Sequence, residues 1–405
     1  MSAPLRILGM MSGTSLDGID AALVEFTRDA GTLHAHLVSH VETPMPGALG
    51  AALLAALPGD PRGDSLGVET WCRLHTEVGR AYARVAEAVI REHGAVDLVS
   101  MHGQTLFHWV DDGVAHGSLQ VGEPAWVHEA TGAPVLSNLR AADIAAGGQG
   151  APLAATLDAL WLADRVPTVA LNLGGIANIT LVNDAQLVCG DTGPANCLMD
   201  ALAQRELGEP CDRDARLASS GTVDEHALGL LLADPWFAQP LPRSTGREQF
   251  HLDWVDQRLS GHPITTPNLM ATLLELTAGS VADAIGRLGR AERVVVSGGG
   301  VRNPLLMRRL GELVGLPLVT SDALGLPAQA KEGVLMALLG WLSAHGLPGA
   351  TATGARGPRV LGTLAPPTPL HVSAAAPVTR LIITRTDTAS GIGPAPASAG
   401  GELGP

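Results

Sequence analysis

Leu5 to Gly9 is a short apolar run, and a second, Ala21 to Phe26, follows a stretch of Gly, Ser and Thr. With Leu33 to Ser39 as a third run, the spacing predicts a β-meander at the N-terminus. Leu74 to Glu92 repeats apolar residues at helical intervals, and Asp97 to Met101 reads as a short buried strand ending at His102, Gly103 and Gln104. Ala141 to Pro152 is rich in Gly and Ala and turns helical through Leu162. The pattern then restarts: a strand from Pro167 to Leu173, the pair Gly174-Gly175, and a strand from Ala177 to Val182. This strand, glycine turn, strand unit echoes the N-terminal one in topology and predicts a second domain of related design, without a strong residue-level repeat. Thr266 and Pro267 read as the N-cap and first residue of a helix through Leu288. Arg293 to Val296 is an apolar strand that meets Gly298, Gly299 and Gly300; Asn303-Pro304 opens another helix, and a last one covers about 327–345. From about Ala365 the chain is dominated by Pro, Ala, Gly, Ser and Thr, which predicts a mostly disordered tail over 365–405 with a stray strand at Leu381 to Thr384.

The 405 residues suit two domains, or three, at roughly 100–200 residues per domain. Hydrophobic residues make up 46% and aromatic residues 3%, so Val, Leu, Ile and Ala must fill the core. A net charge of −14 with no basic patch argues against nucleic acid and anionic lipid as partners, and no run of 18 apolar residues suggests a membrane span. Ser2 to Arg6 leads straight into a strand without the pattern of an export signal, and Cys72, Cys189, Cys197 and Cys211 form no C-x-x-C pair; a reducing cytoplasm is the expected compartment. Lys331 is the only lysine. It follows Ala330 and precedes a helix, so it fits neither a phosphate-loop lysine nor a protein-kinase lysine. A chain of this kind that handles ATP must hold the phosphates with backbone N–H groups, hydroxyls and a metal.

Four glycine-bearing segments follow strands, where ligands sit in α/β proteins. Met11 to Asp20 offers backbone donors and the hydroxyls of Ser12, Thr14 and Ser15 to phosphate oxygens, around Gly13, Leu16, Gly18 and Ile19. Asp17 and Asp20 are the candidate Mg²⁺ ligands, directly or through water. By itself this loop reads equally as a solvated hairpin turn. Asn172 to Asn178 and Gly190 to Asn196 each combine glycine with an amide or carboxylate, and Ser297 to Asn303 would let a nucleotide base and ribose lie on its backbone. His102 is open between a sugar or phosphate ligand and a structural histidine.

The combination resembles the actin/Hsp70/sugar-kinase superfamily, and within it the anhydro-N-acetylmuramic acid kinase family. The segments that carry the resemblance are MSGTSLDGID (11–20), MHGQT (101–105), AAGGQGAPL (145–153), NLGGIAN (172–178), DTGPAN (191–196), PRSTGREQF (242–250), ATLLELTA (271–278) and SGGGVRNP (297–304), with Glu332 opening the last matching helix. The resemblance implies an α/β fold of two related actin-like (ribonuclease H-like) domains about a cleft. The first lobe would take 1–140 and about 345–364, the second 141–344. It implies ATP and Mg²⁺ as cofactors, a small-molecule sugar as substrate and a homodimer. It also implies a reaction in which O6 of 1,6-anhydro-N-acetylmuramic acid is phosphorylated while water opens the anhydro bridge. Asp191 would be the base, and Glu332 would orient substrate or metal. Gly13 to Asp20, Gly174, Gly175 and Gly298 to Gly300 would bind nucleotide. His102, Gln104, Arg140 and Asp143, with Ser244 to Glu248, would bind sugar.

The chain departs from the family pattern at Asn138-Leu139-Arg140, where Asp-Phe-Arg is usual, and at Gly190 and Met336, where Phe is usual. An ordinary hexose kinase of the same superfamily and a non-catalytic ATP sensor remain as alternatives to the family reaction.

Overall fold

Successive side chains of a strand point to opposite faces, so a continuous apolar run gives each central strand two apolar faces, and both need cover. The computed structural model describes residues 4–13, 16, 18–57, 67–163, 166–183, 187–246, 249–350, 352–366 and 377–385. In chain order, β1 (Leu5–Ser12), β2 (Gly18–Asp29) and β3 (Thr32–Pro44) form an antiparallel meander, followed by α1 (Gly47–Ala55) and α2 (Val68–His93). β4 (Leu98–Asp111) runs parallel to β1 and continues into a hairpin with β5 (Val114–Val121). After α3 (Pro124–Thr131), β6 (Val135–Ser137) lies parallel to β4, and α4 (Ala141–Ala145) and α5 (Ala154–Trp161) lead out of the sheet.

The second sheet repeats the design. β7 (Thr168–Leu173), β8 (Ile176–Val182) and β9 (Leu187–Pro194) form a meander. Five helices follow: α6 (Asn196–Leu207), α7 (Arg216–Ser220), α8 (Glu225–Leu232), α9 (Leu252–Arg258) and α10 (Thr266–Arg287). β10 (Arg293–Ser297) is parallel to β7, α11 (Pro304–Val314) crosses over, and β11 (Leu318–Thr320) is parallel to β10. Then come α12 (Lys331–Ala344), β12 (Thr363–Ala365) antiparallel to β6, and β13 (Arg380–Arg385) parallel to β3. The strand orders β3-β2-β1-β4-β6 and β9-β8-β7-β10-β11 are the same, in the same senses. The two sheets thus share one design, as the echoing strand–turn–strand units predict, in the paired ribonuclease H-like arrangement that the resemblance implies.

The alternation sorts the core into three layers. Leu8, Met10, Ala21 and Leu23 face α1 and α2. Val169, Leu171, Leu173, Val294 and Val296 face the helices of the second lobe. Between the sheets, Ile7, Ala22 and Val24 of the first and Ala170, Val182 and Val295 of the second close on α5 and α12. α12 lies flush on β1, because a Cβ on Gly9 would stand 2.0 Å from the Gly333 carbonyl oxygen. That contact brings the first turn of α12 to the carboxyl end of β1, where the 11–20 loop begins.

Two sequence expectations change, and the expected tail strand gains a partner in β3. α12, expected within the second lobe (141–344), packs on β1, β2 and β4 and belongs to the layer between the sheets. The cap of α10 is Thr265, whose hydroxyl accepts from the Asn268 N–H, one residue before the expected Thr266. In the tail, Arg380–Arg385 is the strand β13, with Leu381 and Ile383 buried, while 367–376 and 386–405 lie outside the described residues. Two buried aliphatic side chains are worth about 1.5–3 kcal/mol each. Ending the chain at Pro366 is therefore expected to lower the urea midpoint clearly, and an unchanged midpoint would refute the docking of β13. α10 alone among the described helices is long and apolar enough to cross a membrane, and 72% of its most apolar window is buried inside the protein.

Candidate active site

The first-lobe loop is anchored where it leaves β1. The Ser12 hydroxyl shares a hydrogen bond of 2.8 Å with the buried Tyr82 hydroxyl, and Gln104 Nε2 donates to the Gly13 carbonyl at 3.1 Å. Leu16 adopts a left-handed φ of 59°, tightening the turn with its N–H on the Gly13 carbonyl at 3.2 Å. Thr14, Ser15 and Asp17, expected to bind phosphate and metal, lie outside the described residues. Gln104, expected to bind sugar, is fully buried, and its amide nitrogen is committed to the Gly13 and Thr105 carbonyls.

Across the β2–β3 register, Asp20 pairs with Glu42 and Ala22 with His40. The ligand atoms of Asp20, His40 and Glu42 lie within 4.8 Å of one another, and buried His40 Nε2 makes no hydrogen bond. Two carboxylates and an imidazole whose Nε2 stands 3.7 Å from Asp20 Oδ1 suit a divalent cation. From the second lobe, Arg302 reaches 3.6 Å from Glu42 Oε1. Nothing but the register of a hairpin points to His40 or Glu42 in the sequence.

His102 and Arg140 form a fixed dyad. Arg140 Nε donates to His102 Nε2 at 2.9 Å, and Nη1 donates to the Gly150 carbonyl at 2.5 Å. Arg140 can only donate, so His102 Nε2 must accept and Nδ1–H must point at the Gly103 carbonyl, 3.0 Å away. Burial, then the Arg140 charge, pull His102 down to about 3, so the imidazole is neutral. The unfolded chain takes up a proton here below pH about 6.5 while the folded chain does not until about 3, so stability is lost as pH falls through that window. Wild-type Tm is expected to fall more steeply than that of His102→Gln between pH about 6.5 and 4.5. Equal slopes would contradict a neutral His102.

Arg140 also reports what surrounds it. Burial lowers its guanidinium to about 10, against the opposing charges of Asp191, Glu332 and Asp143. Burial likewise raises the Tyr82 phenol, helped by Asp20 and Glu332 and opposed by the Ser12 hydrogen bond. Glu332 is thus within electrostatic reach of both Tyr82 and Arg140, and Asp191 of Arg140.

In the second lobe, Asp191 sits on β9 beside a register shift against β8. Its Oδ2 accepts the Thr245 N–H at 2.8 Å. Its backbone is clamped by Arg243, whose carbonyl accepts the Asp191 N–H at 2.8 Å and whose Nε donates to the Asp191 carbonyl at 3.0 Å. Gly190, where the family usually has Phe, leaves no room for a side chain: a Cβ would lie 2.6 Å from Leu241 Cδ2. Thr245 thus meets Asp191, the Ser244 carbonyl accepts from Trp236 Nε1 at 3.3 Å, and Arg247 and Glu248 lie outside the described residues.

The glycine loops close the floor. The Asn196 N–H donates to the Gly174 carbonyl at 3.0 Å, the Ala195 N–H donates to the Gly175 carbonyl at 2.9 Å, and Asn196 Nδ2 donates to the Leu173 carbonyl at 3.1 Å. Gly298 has φ 85°, and a Cβ there would lie 2.7 Å from Leu173 O, so 298–300 lies directly against the 172–175 turn.

Asp143 does not join them as expected. It is 1% exposed, with Oδ2 accepting the Gly150 N–H at 2.8 Å and Oδ1 the Thr353 hydroxyl at 2.7 Å, so its carboxylate holds the 145–150 loop instead of a sugar. Asn138, in place of the usual Asp, is exposed with φ 55°, a left-handed position that Asn tolerates well.

A sequence profile described as anhydro-N-acetylmuramic acid kinase matches residues 5–367. The chain belongs to the anhydro-N-acetylmuramic acid kinase family. The anhydro-N-acetylmuramic acid kinase of Streptomyces coelicolor is 48% identical over 373 residues, covering 89% of this chain and 94% of its own. That of Rhodococcus erythropolis is 45% identical over 379 residues, covering 89% and 94%. Among solved structures, a gluconate kinase from Lactobacillus acidophilus has a TM-score of 0.41 at 11% identity, covering 83% of this chain and 88% of its own. As a kinase of this family, the protein is a transferase that acts on a small molecule with ATP. Tyr82, His40 and Glu42 are the residues of this neighbourhood that motif reading missed.

Proposed function

We propose that the chain phosphorylates O6 of 1,6-anhydro-N-acetylmuramic acid with ATP while water opens the anhydro bridge, giving N-acetylmuramic acid 6-phosphate and ADP. The observation that carries the reading is Asp191: one carboxylate, gripped through its backbone and one oxygen, in the charge neighbourhood of Arg140 and Glu332. Asp191 takes a proton from water, whose oxygen bonds to C1. The C1–O6 bond breaks, and O6 attacks the γ-phosphorus as the bond to ADP breaks. Phosphoryl transfer needs positioning and charge neutralisation above all. Arg140 supplies a fixed cation, aimed by His102; Glu332 orients the sugar.

Gly13, Thr14, Ser15, Leu16, Gly18 and Ile19 cradle the phosphates, and Gly174, Gly175 and Gly298 to Gly300 carry the nucleoside. Asp20 and Glu42, with His40 and with Asp17 from the loop, would hold Mg²⁺, which when bound offsets phosphate charge. The same reading makes the protein a cytoplasmic homodimer in peptidoglycan recycling, with neither nucleic acid nor membrane as partner; the net charge of −14 supports the last point.

The test is ADP release across a panel of sugars. Release with 1,6-anhydro-N-acetylmuramic acid, and not with glucose, gluconate or N-acetylglucosamine, is expected. Release with an ordinary hexose alone would replace this reading by the simple kinase.

A further inference from the structure

Lys331 is the only lysine of the chain and sits in the first turn of α12. Its Nζ lies 2.8 Å from Asp158 Oδ1 on α5, with the two side chains 6% and 2% exposed. Two physical terms oppose this arrangement. A cation at a helix N-terminus meets the positive end of the macrodipole. Removing two ions from water costs several kcal/mol per ion before their attraction is counted. In an otherwise apolar layer, an apolar pair would be the simpler solution.

Its location supplies a reason. α5 and α12 are the helices that fill the layer between the two sheets. α5 is tied at Thr156, whose hydroxyl donates to the Gly349 carbonyl at 2.8 Å. On its other side Asp158 neighbours buried Cys189, two residues before Asp191 on β9; the Cys189 thiol is pushed up to about 12 by burial, then by Asp191 and Asp158. Successive residues on a helix point about 100° apart. With Lys331 drawn into α5, Glu332 stands about 100° round the helix from it, one residue before Gly333, which packs on β1 and β2; Tyr82 and Arg140 both sense its charge.

We propose that Lys331 and Asp158 are positioning residues, whose ion pair pins the first turn of α12 to α5 and so sets where Glu332 points in the interlobe cleft. The proposal rests on the placing of Glu332 in the reaction given above.

The test is a mutant cycle. Lys331→Met leaves Asp158 buried and uncompensated, and such a variant can fail to fold. Lys331→Met/Asp158→Leu removes both charges, a swap that is commonly neutral or stabilising. In the folded double variant, kcat is expected to fall about tenfold to a hundredfold. KM for ATP should move by less than about threefold, because the loss lies in geometry made for the transition state. In a Glu332→Gln background the same swap should cost nothing further, since its effect passes through Glu332. Wild-type kcat in the double variant, or losses that multiply with Glu332→Gln, would overturn the proposal.

If the wild type turns over no anhydro sugar, the proposed reaction falls, and the pair is then read without turnover. In ¹³C-glutamate-labelled protein, assigned with Glu332→Gln, the titration midpoint of Glu332 should rise in Lys331→Met. A midpoint unmoved in a folded variant would overturn the pair's role.

Discussion

Asp191→Asn is expected to lower kcat by about 10²–10⁴, the span of a lost general base. The substitution is nearly isosteric, and its side-chain carbonyl can still accept the Thr245 N–H that Oδ2 accepts at 2.8 Å. The clamp by Arg243 uses the Asp191 backbone and is untouched. What disappears is the capacity to take a proton from water. Tm and the affinity for ATP should therefore stay near wild type while turnover collapses. A kcat within about threefold of wild type would remove Asp191 from the chemistry.

The second large effect is expected on the fold and, through it, on the site. Gly9→Val places a side chain where a Cβ already meets the Gly333 carbonyl oxygen at 2.0 Å and the Ala337 nitrogen at 2.3 Å. Both neighbours are helix backbone and cannot turn aside, so α12 must lift from β1. Overpacking costs about 1–3 kcal/mol where side chains can adjust, and more where they cannot. A loss of about 3 kcal/mol or more is expected in urea unfolding, with kcat reduced in whatever fraction folds because Glu332 leaves with the helix. Full stability in Gly9→Val would show that α12 is not seated on β1.

The parts of the site that were legible in the sequence are those whose chemistry is local. Glycine turns after strands announced the four loops, because close backbone approach needs residues without side chains, and Gly298 beside Leu173 bears this out. The repeated strand–turn–strand units foretold the matching sheet orders. Other features depend on what lies across the fold. α12 is buried from Lys331 almost throughout to Leu342, so it has no polar stripe to say which sheet it serves. Asp143 stands in a glycine-rich segment that looks like a ligand loop, yet both its oxygens turn inward, a choice that spacing cannot encode. Glu42 meets Asp20 only through hairpin register. Tyr82 reaches Ser12 from α2, and a lone tyrosine in an apolar helical stripe reads as ordinary core.

The central claim is that one site couples ring opening to phosphoryl transfer through Asp191. The most direct measurement is the mass of the product formed in a single turnover from 1,6-anhydro-N-acetylmuramic acid and ATP. A single product heavier than the sugar by HPO₃ and H₂O together, and missing in Asp191→Asn, is predicted. A product heavier by HPO₃ alone would contradict the account, because O6 could not then have come from an opened bridge.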